Sequence, residues 1–395
     1  MCVFLSCEDR THKTVYLNNP EREKIVVTPS AKDEAILYSQ LFSAVEYIPL
    51  ETTDESLLAE ISRLDILDDG RILVFDGNIE SVCLFGKDGE FLWKIGDRGN
   101  AYNEYSSIKD ATYDRYNNQV IILDAVTNRL LFYSIEGQFF SSIELTCYPS
   151  SISVIDKDYL CLFLNYTDFS SKHSVSHNIR IINRKGDLCS ELLEYSNNIR
   201  NFHPAYEKVF CQSEHTLYLN PPFSSVIYKV SADSLSPVFC FDFGEKSISE
   251  ETFMDADVSF SESISIMQRG IFIYSFLKTP SYLFLKLSNC GSIYLCVMNT
   301  KNPHSKLVSA HVKNDIYGYV SSSFPVAAKG NKCYHIIEST VFERYRETIE
   351  KNGGVCYNVV EGKIVKTVPK QAEMKLLNLI HDGDNPVIQV CTLKE

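Results

Sequence analysis

The 395-residue sequence lacks the features that would place it in several common protein classes. It has no uninterrupted apolar run of the roughly 18 residues that a transmembrane helix needs, so we expect no spanning segment. Basic residues are also few: 38 Lys and Arg stand against 51 Asp and Glu, which gives a net charge of −13. Since neutralisation of phosphates by Lys and Arg supplies most nucleic-acid affinity, we expect no nucleic-acid partner.

Local catalytic motifs are absent as well. The sequence contains no Gly-x-Ser-x-Gly, His-Glu-x-x-His, Gly-x-x-x-x-Gly-Lys-Ser/Thr or Gly-x-Gly-x-x-Gly. This excludes the enzyme families that depend on those motifs. Enzymes that gather catalytic residues from distant segments are not excluded, because they leave no local spacing to read. No catalytic residue is therefore assigned from the sequence.

The 13 cysteines form neither a disulfide framework nor a metal-binding pattern. Their number is odd and no Cys-x-x-Cys pair occurs. Six of them lie inside apolar runs: Cys83, Cys161, Cys240, Cys296, Cys333 and Cys391. Buried free thiols behave as small hydrophobic groups, so we predict a packing role for these side chains.

The sequence does contain an internal repeat. Residues 71–76, 82–85 and 87–91 recur as residues 119–124, 130–133 and 135–139. Asp76 and Asp124 are 48 positions apart, as are Gly89 and Gly137, and Gly186 follows 49 positions later. A fixed period in this range, with several short strands per unit, is typical of β-propeller blades.

Strand-like segments continue this rhythm to the end of the chain. They occupy residues 217–220, 226–230, 238–241, 282–285, 293–297, 333–337 and 386–391. The period allows six or seven units, and we favour an all-β, six-bladed propeller of four-stranded blades. No linker or change of composition divides the chain, which predicts one domain over residues 20–395.

The two ends of the domain are predicted to close the ring. The strand at residues 45–50 should pair with the strand at residues 387–391, because an open propeller would leave two unpaired sheet edges. Apolar residues at near-helical spacing also predict two short helices, near residues 31–42 and 372–381.

Several segments resemble one known family over nearly the whole chain. They are Val45-Glu46-Tyr47-Ile48-Pro49-Leu50-Glu51-Thr52, Ile61-Ser62-Arg63-Leu64, the strand at residues 69–76 and Asp384-Asn385-Pro386-Val387-Ile388. These resemble the six-bladed, NHL/TolB-like β-propeller lipoproteins of anaerobic gut bacteria. The resemblance implies a propeller fold and a location in the cell envelope, as an outer-membrane lipoprotein or a periplasmic protein, rather than a reaction.

One loop departs from the pattern of that family. Members usually carry a glycine-rich stretch that ends in Gly-Pro-Gly-Glu-Tyr, and only Gly96, Gly99, Glu104 and Tyr105 remain of it here. Because small residues permit tight backbone turns, we expect this loop to differ in shape and ligand preference to differ with it.

The N-terminus resembles the end of a lipoprotein signal. Phe4-Leu5-Ser6-Cys7 makes Cys7 the candidate lipidated residue and residues 1–19 a truncated signal and tether. We expect this lipid to be the chain's one membrane contact. The alternative, if the N-terminus is complete, is a chance cysteine in a cytoplasmic protein.

Aromatic residues near predicted turns are the candidate ligand-binding residues: Tyr102, Tyr105, Tyr166, Phe202 and Tyr206. The candidate metal ligands are His173 and His177, joined by His203 or His215, although exposed loop histidines are the other interpretation. Asp76 and Asp124 recur in successive units, which favours a turn-capping role over calcium binding or acid/base catalysis.

These observations predict an extracytoplasmic, non-catalytic module that binds a glycan, a peptide or a partner protein and has no resident cofactor. The alternative is a hydrolase or lyase that holds a divalent metal in the central channel of the propeller.

Overall fold

The computed structural model of the chain describes residues 23–167, 175–196, 206–253, 260–316, 324–360, 363–369 and 371–394. Six four-stranded antiparallel sheets are arranged as the blades of a β-propeller, which confirms the predicted fold class. In each of the first five blades, consecutive strands run outward from the central axis to the rim.

The N-terminal segment supplies four short elements: β1 (Ile25–Val26), β2 (Ile36–Leu37), α1 (Tyr38–Leu41) and β3 (Phe42–Pro49). Blade 1 follows with β4 (Ile61–Ile66), β5 (Ile72–Asp76), β6 (Ser81–Phe85) and β7 (Phe91–Lys94). Blade 2 has β8 (Ile108–Asp114), β9 (Gln119–Asp124), β10 (Arg129–Ser134) and β11 (Phe139–Glu144). Blade 3 has β12 (Ser151–Val154), β13 (Tyr159–Phe163), β14 (Val175–Asn183) and β15 (Leu188–Ser196).

Blade 4 has β16 (Phe210–Ser213), β17 (Thr216–Leu219), β18 (Val226–Val230) and β19 (Leu235–Asp242), and β1 joins its outer edge in parallel. Two 3-10 turns (Gly244–Lys246 and Glu250–Phe253) and α2 (Phe260–Met267) precede blade 5. Blade 5 has β20 (Ile271–Lys278), β21 (Tyr282–Asn289), β22 (Ser292–Asn299) and β23 (Asn302–Ser309). The short strand β24 (Val312–Lys313) then pairs in parallel with β2.

Blade 6 is assembled from both ends of the chain. Its strands β25 (Ala327–Lys329) and β26 (Lys332–Ile337) are followed by an insertion that contains α3 (Ser339–Lys351), β27 (Cys356–Val360), β28 (Lys363–Thr367) and α4 (Gln371–Leu379). The C-terminal strand β29 (Val387–Leu393) pairs on one side with β26 and on the other with β3. Val387 lies opposite Pro49 and Cys391 lies opposite Val45, so the predicted ring closure is confirmed.

The repeated glycines and aspartates have local backbone roles. Gly89, Gly137 and Gly186 have φ values of 94°, 82° and 88° in the turn between the third and fourth strands, a conformation that only glycine adopts without strain. Asp76 and Asp124 are buried at the end of the second strand. Their carboxylates accept backbone N–H bonds from the following turn and from the segment that enters the blade, as expected for turn caps.

The helices differ in part from the prediction. Helix α4 matches the predicted segment near 372–381, but α1 covers only Tyr38–Leu41. Residues on both sides of α1 are recruited into strands: Ile36–Leu37 pairs with β24, and the chain from Phe42 onward pairs with β29. Tertiary pairing thus overrides the near-helical spacing. Helix α3 was not predicted, although it buries Phe342 and Ile349 on one side.

The core lies between the faces of neighbouring blades rather than at the axis. Separate buried clusters fill the spaces between blades 1 and 2, blades 2 and 3, and blades 3 and 4. This arrangement leaves the innermost strands with one edge toward the axis, where side chains are free to line a central space.

The two faces of the propeller carry different connections. On one face the turns are short, as at residues 67–71, 86–90 and 135–138. The long connections, such as 95–107, 243–270 and 338–386, start and end on the other face, which we call the long-loop face. Loops on a rigid scaffold are where binding residues concentrate, so this face is the natural place for a site.

Candidate functional site

A cavity of about 700 Å³ occupies the axis of the propeller. Its wall is built mainly from the first residues of the innermost strands and the residues just before them, including residues 60–64, 109–110, 150–151 and 206–210. Because these residues are at the long-loop end of their strands, the cavity lies toward that face. Its size falls within the range of about 300–1,000 Å³ that is usual for small-molecule sites.

The floor of the cavity is a network centred on Arg63. The guanidinium lies 3.1 Å from a carboxylate oxygen of Asp65 and 3.3 Å from one of Asp110, and it donates to Thr112 Oγ1 at 2.7 Å. Burial acts to lower the pKa of Arg63, but Asp65 and Asp110 outweigh burial and raise that pKa above its ordinary value. Arg63 also borders a second, smaller space of about 40 Å³ deeper along the axis, so its side chain divides the channel.

Asp110 ties three blades together at this floor. Its carboxylate accepts hydrogen bonds from Ser151 Oγ at 2.6 Å, from the Ile152 N–H at 2.9 Å and from the Ala111 N–H at 2.9 Å, besides the contact with Arg63. Arg63 belongs to blade 1, Asp110 to blade 2 and Ser151 to blade 3. The charged groups at the floor are therefore paired with one another within the protein.

Three innermost strands have a β-bulge at the same level. The ladder register shifts between Ile61 and Arg63 in β4, between Ile108 and Asp110 in β8, and between Ile273 and Ser275 in β20. The extra residues are Ser62, Lys109 and Tyr274. Bulges redirect side chains and are frequent beside functional sites. Ser62 and Lys109 both line the cavity.

Four further polar side chains surround the mouth. Lys286 forms an ion pair with Glu207, and its ammonium lies 5.4 Å from the centre of the Tyr274 ring. Lys208 donates from Nζ to the carbonyl oxygen of Val326 at 3.2 Å. Lys109 is exposed. The wall thus combines cationic groups with hydroxyl and aromatic groups.

Tyr206 is the one predicted aromatic residue that lines this cavity among the residues that the structure describes. Its hydroxyl donates to Ser150 Oγ at 3.0 Å, and its ring packs edge-on against Phe163 at 5.4 Å. Burial raises the pKa of Tyr206 to about 12, with Asp110 adding to the effect and the Ser150 hydrogen bond opposing it. The phenol is therefore neutral at physiological pH and serves as a hydrogen-bonding group.

The other predicted aromatics lie elsewhere. Tyr102 is 74% exposed and contacts Phe139 on the loop between blades 1 and 2. Tyr105 is buried and donates from its hydroxyl to the Glu80 carbonyl at 3.0 Å. Tyr166 is fully buried, with its ring 5.0 Å from that of Tyr195. Phe202 lies outside the described residues. Tyr105 and Tyr166 thus support the loops from within, because packing turned their rings away from solvent.

Of the predicted metal ligands, the structure describes only His177 and His215, and it places them in different blades. His177 lies in β14, with Nδ1 4.0 Å from a carboxylate oxygen of Glu191, and His215 lies in a turn beside Tyr116 on the short-turn face. His173, His203 and Cys7 are outside the described residues. Within the described ranges, no group of three or more His, Cys, Asp or Glu side chains is arranged to hold a metal ion. Within those ranges no helix is long and apolar enough to cross a membrane.

Sequence reasoning did not single out the charged residues of the cavity as site residues: Glu60, Arg63, Lys109, Asp110, Glu207, Lys208 and Lys286. A partial signal exists in the buried residues of the bulged strands. Ile61 and Leu64 are both buried, as are Ile108 and Ala111, although residues on one face of a regular strand are two positions apart. In β4 this spacing of three indicates the inserted Ser62, whereas in β8 Asp110 is buried as well, so the burial pattern alone does not mark Lys109.

Fold and site together define a six-bladed β-propeller with a polar central cavity beneath its long loops. Residues 23–392 match the family described as Domain of unknown function (DUF4934), and the chain belongs to that family. No curated protein gives a significant match to the chain.

Similar folds occur among solved structures. A protein of Bacteroides fragilis that is presumed to be exported aligns with a TM-score of 0.74 and 16% identity, covering 94% of this chain and 100% of its own. A member of the DUF4221 family from Bacteroides vulgatus aligns with a TM-score of 0.47 and 10% identity, covering 90% and 97%. Virginiamycin B lyase from Staphylococcus aureus aligns with a TM-score of 0.41 and 10% identity, covering 88% and 99%. At 16% identity the first similarity concerns the fold alone, and the other two, with TM-scores below 0.5, add nothing to it.

Proposed function

We propose that this protein is an extracytoplasmic, non-catalytic binding module that holds a small glycan or peptide in its central cavity. The observation that carries the proposal is the cavity itself: about 700 Å³ on the axis, at the face where the long connections start and end. It combines the aromatic rings of Tyr206 and Phe324 with hydroxyl and charged groups that can fix the orientation of a bound ligand.

The state of the charged groups favours binding over catalysis. A general acid or base must be able to reach a substrate proton, but both oxygens of Asp110 already accept hydrogen bonds from the protein. Arg63 is held in turn by Asp65 and Asp110. Because these groups are already held by one another, they are better suited to shaping the cavity than to reacting.

An envelope location supports the same role. The presumed export of the similar Bacteroides fragilis protein and the resemblance to gut-bacterial lipoproteins both favour a protein outside the cytoplasm. In this proposal Cys7 carries the lipid that anchors the propeller. Labelling cells with a lipid precursor tests it: the native gene product should incorporate label and its Cys7→Ala variant should not. An unlabelled native product would refute the anchor and leave the cavity proposal intact.

A thermal-shift screen tests the binding role. Residues 20–395 would be melted with panels of glycans and muropeptides, and with divalent metals in the presence and absence of chelator. A ligand at 100 times its Kd should stabilise the protein by about 2.7 kcal/mol. A metal-dependent shift that chelator abolishes would instead favour the metal-dependent hydrolase or lyase.

Two matched variants locate the site. Ser62→Trp places an indole in the cavity from an exposed bulge position, whereas Ser141→Trp places one on the outermost strand of blade 2. Ser62→Trp should abolish the ligand shift and Ser141→Trp should preserve it. A shift that both variants retain would place the site elsewhere and overturn the proposal.

A further inference from the structure

The cavity is richer in basic side chains than the protein as a whole. The chain has a net charge of −13. Four basic side chains line the cavity: Arg63, Lys109, Lys208 and Lys286. Three acidic side chains accompany them, Glu60, Asp110 and Glu207, and Asp65 beneath them also pairs with Arg63. Basic and acidic groups are therefore equal in number here, and the basic groups that lack an acidic partner are the ones that need an explanation.

Internal pairing accounts for only part of this set. Arg63 is paired with Asp110, and Lys286 is paired with Glu207. Glu60 lies exposed at the rim, where its carboxylate accepts a hydrogen bond from Asn78 Nδ2 at 2.9 Å. The pairs at the floor and the wall are thus satisfied within the protein.

Lys109 and Lys208 remain outside these pairs. Among the residues that the structure describes, neither ammonium forms an ion pair with a carboxylate, and Lys208 donates only to the neutral carbonyl of Val326. Lys109 is the extra residue of the β8 bulge, which releases it from the ladder at the cavity mouth. Lys208 is half-buried just before β16. The two lysines come from blades 2 and 4 and both line the cavity, so each can reach a ligand held there.

We infer that the ligand carries an anionic group, a carboxylate or sulfate, which Lys109 and Lys208 bind together. This inference rests on the proposed function and specifies the ligand class of the same cavity. Two lysines without a carboxylate partner on a concave wall attract an anion. The bonds they form with an anion are charge-assisted, and the flexible lysine stems suit an anion that is held by point charges.

Matched ligand pairs test the inference by isothermal titration calorimetry. One arm compares oligosaccharides of glucuronate with neutral glucose oligosaccharides of the same length, and also compares sulfated with unsulfated sugars. The other arm compares short peptides with a free C-terminal carboxylate with their amidated forms. We expect the anionic member of a pair to bind about tenfold or more tightly, with an affinity that falls as ionic strength rises.

The variants are Lys109→Gln, Lys208→Gln and the double substitution. The matched control is Lys87→Gln, which removes the same charge from an exposed turn on the short-turn face. Each single variant should bind the anionic ligand severalfold more weakly than the unsubstituted protein does. The double variant should bind the anionic and the neutral ligand with equal affinity, whereas Lys87→Gln should leave both affinities unchanged. Lys208→Arg keeps the positive charge, so it should retain more of the preference for the anionic ligand than Lys208→Gln does. A purely structural role of Lys208 would not predict this difference.

The outcomes separate the two proposals. Tighter binding in the saccharide arm or in the peptide arm, lost in the double variant, supports the inference and identifies the source of the anion. Equal binding of neutral and anionic ligands that Ser62→Trp abolishes would overturn the inference and leave the binding module standing. Absence of any binding that depends on the cavity would overturn both.

Discussion

Replacement of Asp110 by alanine tests the floor of the cavity most directly. The side chains of Arg63 and Asp110 are 15% and 11% exposed, so solvent screens their interaction little. Asp110→Ala leaves the Arg63 guanidinium with less countercharge and removes the acceptor of the Ile152 N–H. Breaking a buried pair by removing one partner costs about 3–5 kcal/mol.

This cost converts into a measurable change in Tm. Unfolding entropy is about 2.1 cal/mol/K per residue, and over 395 residues a loss of about 3–5 kcal/mol corresponds to a fall in Tm of about 4–6 °C. Differential scanning calorimetry of the purified domain would measure it. The matched control is Asp88→Ala, an exposed turn carboxylate whose loss should change the free energy of unfolding by less than about 0.5 kcal/mol.

A double-mutant cycle with Arg63→Met attributes the effect to the pair. If the two side chains interact as the distances indicate, the double variant should be less destabilised than the sum of the single variants by about 0.5–3 kcal/mol. Strict additivity of the two single effects would refute the argument that Arg63 and Asp110 stabilise each other. An Asp110→Ala protein with the same Tm as the Asp88→Ala control would refute it as well.

Three further predictions concern the scaffold. Gly89→Ala should lower Tm more than Gly137→Ala, because both positions have positive φ but a Cβ at Gly89 would lie 2.1 Å from the Pro49 carbonyl oxygen; equal melting of the two variants would contradict this. Deletion of residues 386–395 removes β29 and should lower Tm strongly. An unchanged Tm would contradict ring closure by β3 and β29. Alkaline pH should also destabilise the protein, because burial raises the pKa of three tyrosines to about 12, Tyr105, Tyr113 and Tyr206. Their contribution is complete below the unfolded value of 10.0 and is lost as pH rises toward 12, so a Tm that stays constant across that interval would be inconsistent with buried neutral phenols.

Much of the fold could be predicted because blades repeat local requirements. In blades 1 to 3 the turn between the third and fourth strands holds a glycine with positive φ, and in blades 1 and 2 the second strand ends in a capping aspartate. These needs involve residues close in sequence, so they recur at a fixed spacing. Ring closure followed from the same physics, because the unpaired edges at both ends of the chain had to be covered. The predicted helix near 31–42 differed because distant strands recruited its ends.

The sequence by itself determined the character of the blades and limited their number to six or seven, since turn glycines, capping aspartates and strand patterns act over a few residues. It also determined the net charge of −13 and the absence of local catalytic motifs. Only the tertiary structure decided which side chains meet at the axis. Arg63, Asp110, Lys208 and Lys286 come from four different blades, and packing alone decides that Tyr206 lines the cavity while Tyr105 and Tyr166 are buried. The physical reason is that a propeller brings the starts of its inner strands together around one axis, so the site has no sequence period of its own.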